Sequence, residues 1–210
     1  MTMRQMVLAL GAPPPPSFDN FVCGRNGAAL VALDLLGPPA SNDRCVYLWG
    51  ERGSGRSHLL GAWRKRHADD ADCHAIDDVE RLDDAAQIDL FSLYNRARAG
   101  AAWLLVAGPC APARLALRED VKSRLAWGLS LEVLPLSDDE KRAALASRAA
   151  AHNMPVAAEM LDYLLARTRR DMPSLIALVD ALNDFSLETK RAVTLPLLRE
   201  LLNQNQTLPL

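Results

Sequence analysis

The stretch CVYLWGERGSGRSHLL, residues 45–60, decides the fold of this chain. Its first five residues are apolar and predict a buried strand, and residues 57–66 have the apolar spacing of a helix. Between them, Gly50, Gly53 and Gly55 allow successive backbone N–H groups to turn toward one point. A strand, a glycine loop and a helix in this order predict a P-loop, which holds the phosphates of a nucleotide.

The P-loop pattern assigns roles to the residues of this loop. Its nucleotide-binding candidates are Gly50, Gly53, Ser54, Gly55, Arg56, Ser57 and His58. The Ser57 hydroxyl is also a candidate ligand for Mg²⁺. Arg56 stands where the pattern has lysine, and its longer, planar guanidinium need not reach the same phosphate oxygens. We therefore expect a site that holds a diphosphate but hydrolyses ATP poorly. A loop that has kept its shape and lost its ligand remains the alternative.

Strands and helices alternate along the chain as far as residue 136. Apolar runs predict strands at residues 45–49, 73–79, 103–108 and 129–136, and helical spacing predicts helices at residues 26–36, 57–66, 85–99 and 118–127. Beyond this point only helices are predicted, at residues 138–152, 156–169, 173–187 and 194–203. Ser137 and Glu140 form the capping box that begins the first of them. The pattern predicts an α/β fold with a parallel sheet, followed by an α-helical lid.

Proline residues 13–16 separate a short peptide from the rest of the chain. Such a run is stiff and extended, so it acts as a spacer. We therefore divide the chain into residues 1–16, which are the peptide and its spacer, residues 17–136, which are the nucleotide-binding subdomain, and residues 137–210, which are the lid. The apolar tip QMVLAL, residues 5–10, is either a frayed terminus or a segment that needs a partner surface.

Two acidic residues follow the second predicted strand. Asp77 and Asp78 occupy the place of the Walker B residues, because they close an apolar strand. The first would hold Mg²⁺ through water, and the second would stand where a side chain polarises the attacking water. The alternative is an acidic surface turn, since Asp83 and Asp84 lie close by.

Composition excludes several classes of protein. The net charge of −2 and the pI of about 6.1 give no positive field that would favour a stand-alone DNA-binding protein. The four cysteines are scattered, with no CxxC pair and no histidine at ligand spacing, so we expect neither a zinc site nor disulfides. The apolar run near the N-terminus is too short for a signal peptide, and no run reaches the length of a membrane span. We expect a cytoplasmic protein.

With these pieces in place, the sequence resembles the Hda family, the bacterial AAA+ proteins that inactivate the replication initiator DnaA. The resemblance covers nearly the whole chain and implies an AAA+ P-loop module with a helical lid. The runs that carry it, in chain order, are FDNFVCGRNGAAL (18–30), LWGERGSGRSHLL (48–60), IDDVE (76–80), DLFSLYNR (89–96), VKSRLAWG (121–128) and LPLSDDEK (134–141). It also implies that the backbone from Val22 to Gly24 lies against the adenine of a bound ADP or ATP with Mg²⁺.

The same resemblance implies two protein partners, DnaA and the β sliding clamp of DNA polymerase III. QMVLAL is similar to the clamp-binding peptide, so Gln5 would place its amide in the clamp while Leu8 and Leu10 fill an apolar pocket. Arg124 matches the arginine finger that would act on the ATP held by DnaA. Phe91 and Asn95 share one helix face and are expected on that partner surface. An ordinary helix arginine and a core phenylalanine are the alternatives for Arg124 and Phe91.

The chain departs from the family pattern at positions that handle nucleotide. Only about twenty residues separate Ser57 from Asp77, so we expect the sheet to lack one edge strand. Pro109 and Pro173 stand at the two sensor positions, where polar side chains normally approach the phosphates. Arg170, or its neighbour Arg169, is the candidate to replace the second sensor. These departures put the chain's own ATPase activity in doubt and leave the adaptor role untouched.

The sequence thus favours a regulator that stimulates hydrolysis of DnaA-bound ATP while tethered to the DNA-loaded clamp, which prevents re-initiation. Two alternatives remain open. One is a self-contained ATPase similar to a clamp-loader motor, and the other is an interaction scaffold that binds no nucleotide. No helix-turn-helix module follows the lid, so we expect no direct sequence-specific DNA binding. Self-association into a homodimer also stays open.

Overall fold

A four-stranded parallel sheet organises the part of the chain that contains the glycine loop. The computed structural model describes residues 14–38, 43–167 and 171–206. The strands are β1 Cys45–Trp49, β2 Cys73–Ile76, β3 Trp103–Gly108 and β4 Leu129–Glu132. They lie side by side in the order β2-β3-β1-β4, and every pair is parallel. The α/β fold with a parallel sheet is therefore confirmed.

Helices cover both faces of the sheet, as the burial of parallel strands requires. The helices α1 Gly27–Leu35 and α2 Arg56–Arg66 pack on one face, where Leu33, Leu59 and Trp63 are fully buried. The helices α3 Asp84–Arg98 and α4 Glu119–Trp127 pack on the other face. Short 3₁₀ turns at Val79–Arg81 and Pro112–Arg114 precede α3 and α4. Central strand β1 is consequently buried on both sides and runs directly into the glycine loop.

The connection between α2 and β2 explains the short distance from Ser57 to Asp77. Helix α2 ends at Arg66, and β2 begins at Cys73 after a turn of residues 67–72. Within the described residues no further strand lies between them, which confirms the predicted loss of an edge strand. Strand β2 is thus itself an edge of the sheet. The acidic residues of the preceding turn discourage pairing with another chain at this edge.

The residues from Ser137 onward form a second, all-helical unit. Its helices are α5 Asp138–Ala151, α6 Ala158–Arg167, α7 Met172–Thr189 and α8 Leu195–Gln206. The predicted capping box is present, because Ser137 Oγ accepts a hydrogen bond from the Glu140 N–H and the Glu140 carboxylate accepts one from the Ser137 N–H. A leucine-rich core joins all four helices, with Leu145, Leu164, Leu175, Leu182 and Leu197 buried. None of the helices that the structure describes is both long and apolar enough to cross a membrane.

Candidate functional site

The glycine loop between β1 and α2 has the backbone geometry of a phosphate cradle. Gly53 and Gly55 have φ angles of +84° and +101°, which residues with a side chain rarely adopt. A Cβ atom at Gly50 would overlap the carbonyl oxygen of Val133, so glycine is required where the loop begins. Ser57 is exposed in the first turn of α2. The predicted loop residues are therefore brought together at the carboxyl edge of β1.

Two polar side chains of this loop are buried without a partner. Ser54 Oγ and Arg56 Nη1 are inaccessible to solvent and make no hydrogen bond with any described residue. Buried polar groups are normally paired, so these two atoms are free to bind a ligand at the loop. Helix α2 begins at Arg56, and its N-cap residue Gly55 offers no side-chain cap to the N–H groups of the first turn. A diphosphate accepts hydrogen bonds from free N–H groups, hydroxyls and guanidinium groups, and the loop offers all three. The loop therefore fits a diphosphate.

The segment before α1 packs directly on this loop and on α2. A Cβ atom at Gly55 would lie 2.8 Å from Cε2 of Phe21, so the Phe21 ring covers the loop. His58 Nε2 lies 3.0 Å from the carbonyl oxygen of Ser17, and the His58 and Phe21 rings are 5.6 Å apart. His58 therefore contacts the covering segment. Sequence reasoning missed Phe21, because nothing local in the chain links it to a glycine more than thirty positions away.

A single buried asparagine fixes the end of this segment. Asn26 is 3% exposed, and its side-chain amide makes two hydrogen bonds with the backbone of Leu134. Nδ2 donates to the Leu134 carbonyl at 2.9 Å, and Oδ1 accepts from the Leu134 N–H at 2.8 Å. The adenine-contact candidates Val22 and Gly24 immediately precede it, and Gly24 is held at a φ of +48°. Asn26 thereby anchors Val22 and Gly24 beside the segment that contains Val133, whose carbonyl oxygen lies against Gly50.

Replacing this asparagine should destabilise the nucleotide-binding unit. Asn26→Ala leaves two backbone groups of Leu134 unpaired, and we expect a loss of about 1–3 kcal/mol in the free energy of unfolding. Urea unfolding followed by circular dichroism measures the loss. Asn20→Ala is the matched control, because Asn20 makes its hydrogen bonds with Pro15 and Ser17 in a more exposed turn. Equal losses in the two variants would contradict the anchoring role.

The two acidic residues after β2 have different surroundings. Asp77 follows the last residue of the strand, and its Oδ1 accepts a hydrogen bond from the Asp78 N–H at 2.9 Å. Asp78 has a left-handed backbone with a φ of +46°, and its Oδ2 pairs with Arg81 at 3.2 Å. Asp77 can hold a hydrated Mg²⁺ through its second oxygen. The Asp78 carboxylate is already engaged, which makes it a poor group for polarising water.

The loop after β3 carries no polar side chain at its first position. Pro109 is exposed directly after Gly108, the last residue of the strand. Burial raises the pKa of the Tyr47 hydroxyl, which remains protonated and donates a hydrogen bond to the Cys110 carbonyl at 2.7 Å.

Pro173, at the second sensor position, lies in the first turn of α7, which Asp171 caps. Arg170, together with Arg169, lies outside the described residues.

Arg124 on α4 is surrounded by aromatic rings. Its Cζ atom lies 4.7 Å from the ring centroid of Trp127, 5.3 Å from that of Phe91 and 5.8 Å from that of Tyr94. The basic residues nearby on the same helix are already paired, Arg118 with Asp120 at 2.9 Å and Lys122 with Glu119 at 2.6 Å. Within the described parts of the chain, no carboxylate pairs with Arg124. Its charge is therefore available to a partner.

Two of these rings, those of Phe91 and Trp127, belong to a surface on α3 and α4, which we call the α3–α4 surface. Its members are Ile88, Phe91, Asn95, Arg124 and Trp127. Ile88 is 51% and Trp127 is 61% exposed, which is unusual for large apolar side chains. Phe91 is half-buried and contacts Arg124, and Asn95 is exposed one helical turn further along α3. The sequence did not single out Trp127, although it lies one helical turn after Arg124.

The predicted clamp-binding residues Gln5, Leu8 and Leu10 lie outside the described residues.

Comparison with known proteins agrees with this fold. Domain III of the DnaA replication initiation protein from Thermotoga maritima superimposes with a TM-score of 0.66 at 18% identity, over 90% of this chain and 96% of that one. AMPPCP-bound DnaA from Aquifex aeolicus gives 0.65 at 18% identity, over 80% of this chain and 65% of that one. RuvB from Thermotoga maritima gives 0.60 at 18% identity, over 89% of this chain and 70% of that one. The chain thus has the fold that these DnaA and RuvB domains share.

The α-helical unit gives a more specific match. Residues 138–202 match the family model described as the lid domain of Hda. This match covers about a third of the chain, and together with the DnaA-like fold it agrees with the resemblance to Hda that the motifs carry.

Proposed function

We propose that this chain inactivates DnaA by stimulating hydrolysis of the ATP that DnaA holds. The observation that carries this proposal is the environment of Arg124. Arg124, which has no carboxylate partner among the described residues, lies over aromatic side chains of which Trp127 is exposed. AAA+ modules associate so that an arginine of one subunit reaches the nucleotide of the next. Here that arginine would stabilise the charge that develops on the phosphates of the partner's ATP.

The α3–α4 surface supplies the docking area for this step. Trp127 and Ile88 are large apolar side chains that lose water when a partner covers them, and tryptophan is often an interface anchor. Stacking on Trp127 and Phe91 also keeps the Arg124 guanidinium in a defined position before docking. Ordering an arginine in advance lowers the entropy that association must remove. The same aromatic residues therefore serve both recognition and orientation.

The chain's own P-loop holds ADP as a structural ligand in this proposal. Ser54, Arg56 and the N–H groups of α2 would bind the two phosphates, and Ser57 with Asp77 would hold Mg²⁺. Bound Mg²⁺ would neutralise phosphate charge. Fast hydrolysis is disfavoured by Pro109 in the first sensor position and by the ion pair that engages Asp78. We therefore assign no independent ATPase activity to this chain.

The N-terminal peptide would determine when the regulator acts. Gln5, Leu8 and Leu10 would bind the β sliding clamp, and prolines 13–16 would keep this peptide apart from the folded body. Clamps are loaded on DNA once replication has begun, so the tether would restrict DnaA inactivation to that period. The protein would act in the cytoplasm, as a monomer or a homodimer.

One reconstitution tests the proposed function. Hydrolysis of DnaA-bound ATP is measured with clamp, DNA and this chain together, and then with each component omitted in turn. Stimulation should require all of them. Turnover of ATP by this chain without DnaA would instead support a self-contained motor. Stimulation that persists without the clamp would refute the tether but not the finger.

A calorimetric titration tests the proposed ADP site. We expect ADP to bind the wild-type chain and Arg56→Ala to lower its affinity about 10- to 100-fold, because hydrogen bonds to charged groups contribute about 1.5–3 kcal/mol. Arg52→Ala is the matched control, since Arg52 lies exposed at the crest of the same loop. A flat titration with the wild-type chain would favour a scaffold that binds no nucleotide. Equal ADP affinities of the wild-type chain and Arg56→Ala would show that Arg56 does not bind the phosphates.

A further inference from the structure

We propose that the turn between α2 and β2 binds a zinc ion through His67, Asp70 and Cys73. The three side chains each offer one ligand atom, and these atoms all lie within 4.8 Å of one another. A ring nitrogen, a carboxylate oxygen and a thiolate sulfur are the donors that Zn²⁺ takes in proteins. Metal–ligand bonds of about 2.0–2.3 Å bring such atoms slightly closer together, so only small side-chain movements are required.

The backbone of the turn places the three ligands on one side. The Asp70 N–H donates to the His67 carbonyl at 3.2 Å, and the Cys73 N–H donates to the Asp70 carbonyl at 3.0 Å. Two consecutive turns of this kind bring side chains three residues apart to the same side of the chain. The sequence argued against zinc because no cysteine has a histidine at the usual spacing. The turn brings His67 close to a cysteine six positions further on, an arrangement that the spacing rule does not cover.

The His67 ring is held in place before any metal binds. It lies 4.8 Å from the Trp63 ring, and its edge lies so close to Gly37 that a Cβ atom there would overlap it. His67 Nδ1 is 3.0 Å from Asp70 Oδ2, so two of the ligands already touch. Trp63 is itself fixed, because its Nε1 donates to the Leu36 carbonyl at 2.8 Å. Metal sites depend on such orientation of their ligands.

The local charge also favours a cation. The carboxylates of Asp70 and Asp72 place negative charge near Cys73. The same field attracts Zn²⁺, although the Asp72 carboxylate is partly neutralised by Arg96 at 2.7 Å. When Sγ bonds to the metal, the thiol proton passes to solvent. Three protein ligands leave the fourth tetrahedral position to water.

The position of this site gives it a structural role. The turn joins the last residue of α2, which begins at the P-loop, to β2, which leads to Asp77. Strand β2 has four residues and, among the residues that the structure describes, pairs on one side only, with β3. A metal ion in the turn would hold the end of α2 and the start of this short edge strand together. Binding would thereby stabilise the strand that carries the acidic pair.

Cobalt titration tests the site, because Co²⁺ replaces Zn²⁺ and its thiolate complexes absorb in the near ultraviolet. The full-length wild-type chain should gain a thiolate-to-cobalt charge-transfer band that saturates at one ion per chain, and added Zn²⁺ should remove it. Cys73→Ser should lose the band. Cys110→Ser should keep it, since Cys110 is a half-buried cysteine outside the cluster. Retention of the band in Cys73→Ser, or absence of any band in the wild type, would overturn the proposal.

A second measurement guards against a variant that fails to fold. Zn²⁺ should raise the thermal unfolding midpoint of the wild-type chain, because a ligand that binds only the folded state stabilises it. Asp70→Asn changes an exposed side chain and should fold normally, as circular dichroism will show. Its midpoint should respond much less to Zn²⁺. An equal rise in the two proteins would exclude Asp70 as a ligand and overturn the three-ligand site.

Discussion

Arg124→Ala should abolish stimulation of DnaA-bound ATP hydrolysis and return the rate to that of DnaA alone. Arginine fingers contribute about 10³–10⁵ in kcat where they complete a partner's active site. In this structure the Arg124 guanidinium has no carboxylate partner in the described chain, so its removal leaves no charge unpaired and costs only its contacts with the aromatic rings. Hydrolysis is measured in the complete reconstitution with DnaA, clamp and DNA.

Two further variants make this result specific. Arg118→Ala removes an arginine at the start of the same helix that is already paired with Asp120, and it should stimulate as well as the wild type. Arg124→Lys keeps the charge but loses the planar fork, so we expect only partial activity. Clamp binding should be normal in all three variants. Full stimulation by Arg124→Ala would show that this arginine is not the finger.

The double substitution Gln5→Ala and Leu8→Ala should remove clamp binding. Truncating interface anchors costs about 2–4 kcal/mol each, which corresponds to about 30- to 1,000-fold in affinity. Because prolines 13–16 separate this peptide from the folded body, the ADP affinity and the thermal midpoint should not change. Affinity for the clamp is measured with the purified full-length chain by surface plasmon resonance.

Met6→Ala is the matched control for the peptide, because Met6 lies between the two substituted positions and has no assigned pocket. It should bind the clamp with nearly wild-type affinity. In the reconstitution, the double variant should lose the part of the stimulation that depends on the clamp. Clamp binding that survives the double substitution would place the contact elsewhere in the chain.

Elements bounded by local signals were predictable from the sequence. Strands β1 and β3 have the predicted bounds, since each apolar run meets a glycine at the carboxyl edge of the sheet. Two strands end earlier than predicted. Strand β2 was expected to reach residue 79 but ends at Ile76, because Asp78 takes a left-handed backbone that breaks the extended chain.

Strand β4 shows the same limit of local reasoning. Its apolar pattern continues to residue 136, but the strand ends at Glu132, which is paired with Trp49, the last residue of β1. Beyond Glu132 there is no strand left to pair with, because β1 ends at Trp49 and the chain continues as the glycine loop. The Asn26 side chain then takes over the pairing with Leu134. A hydrogen bond between residues 108 positions apart leaves no trace in a local pattern.

The same distinction between local sequence signals and tertiary packing applies to the candidate site. Glycines and charged residues at motif spacing identified the loop, Asp77 and Arg124 as candidates, since those roles depend on residue type and order. Phe21, which covers Gly55, could not be found in this way, because its role arises only from tertiary packing. The cluster at His67 was missed for a related reason, since a turn rather than a motif assembles it.

The stacking of Arg124 on Trp127 has an optical consequence. Of the four tryptophans, Trp63 is fully buried and Trp49 and Trp103 are half-buried, whereas Trp127 is 61% exposed. Its indole is also approached by two guanidinium groups, those of Arg98 and Arg124. Movement of Arg124 toward another protein's nucleotide would change both the solvation and the charge around this fluorophore. The chain therefore contains its own fluorescent reporter at the place where we propose that docking occurs.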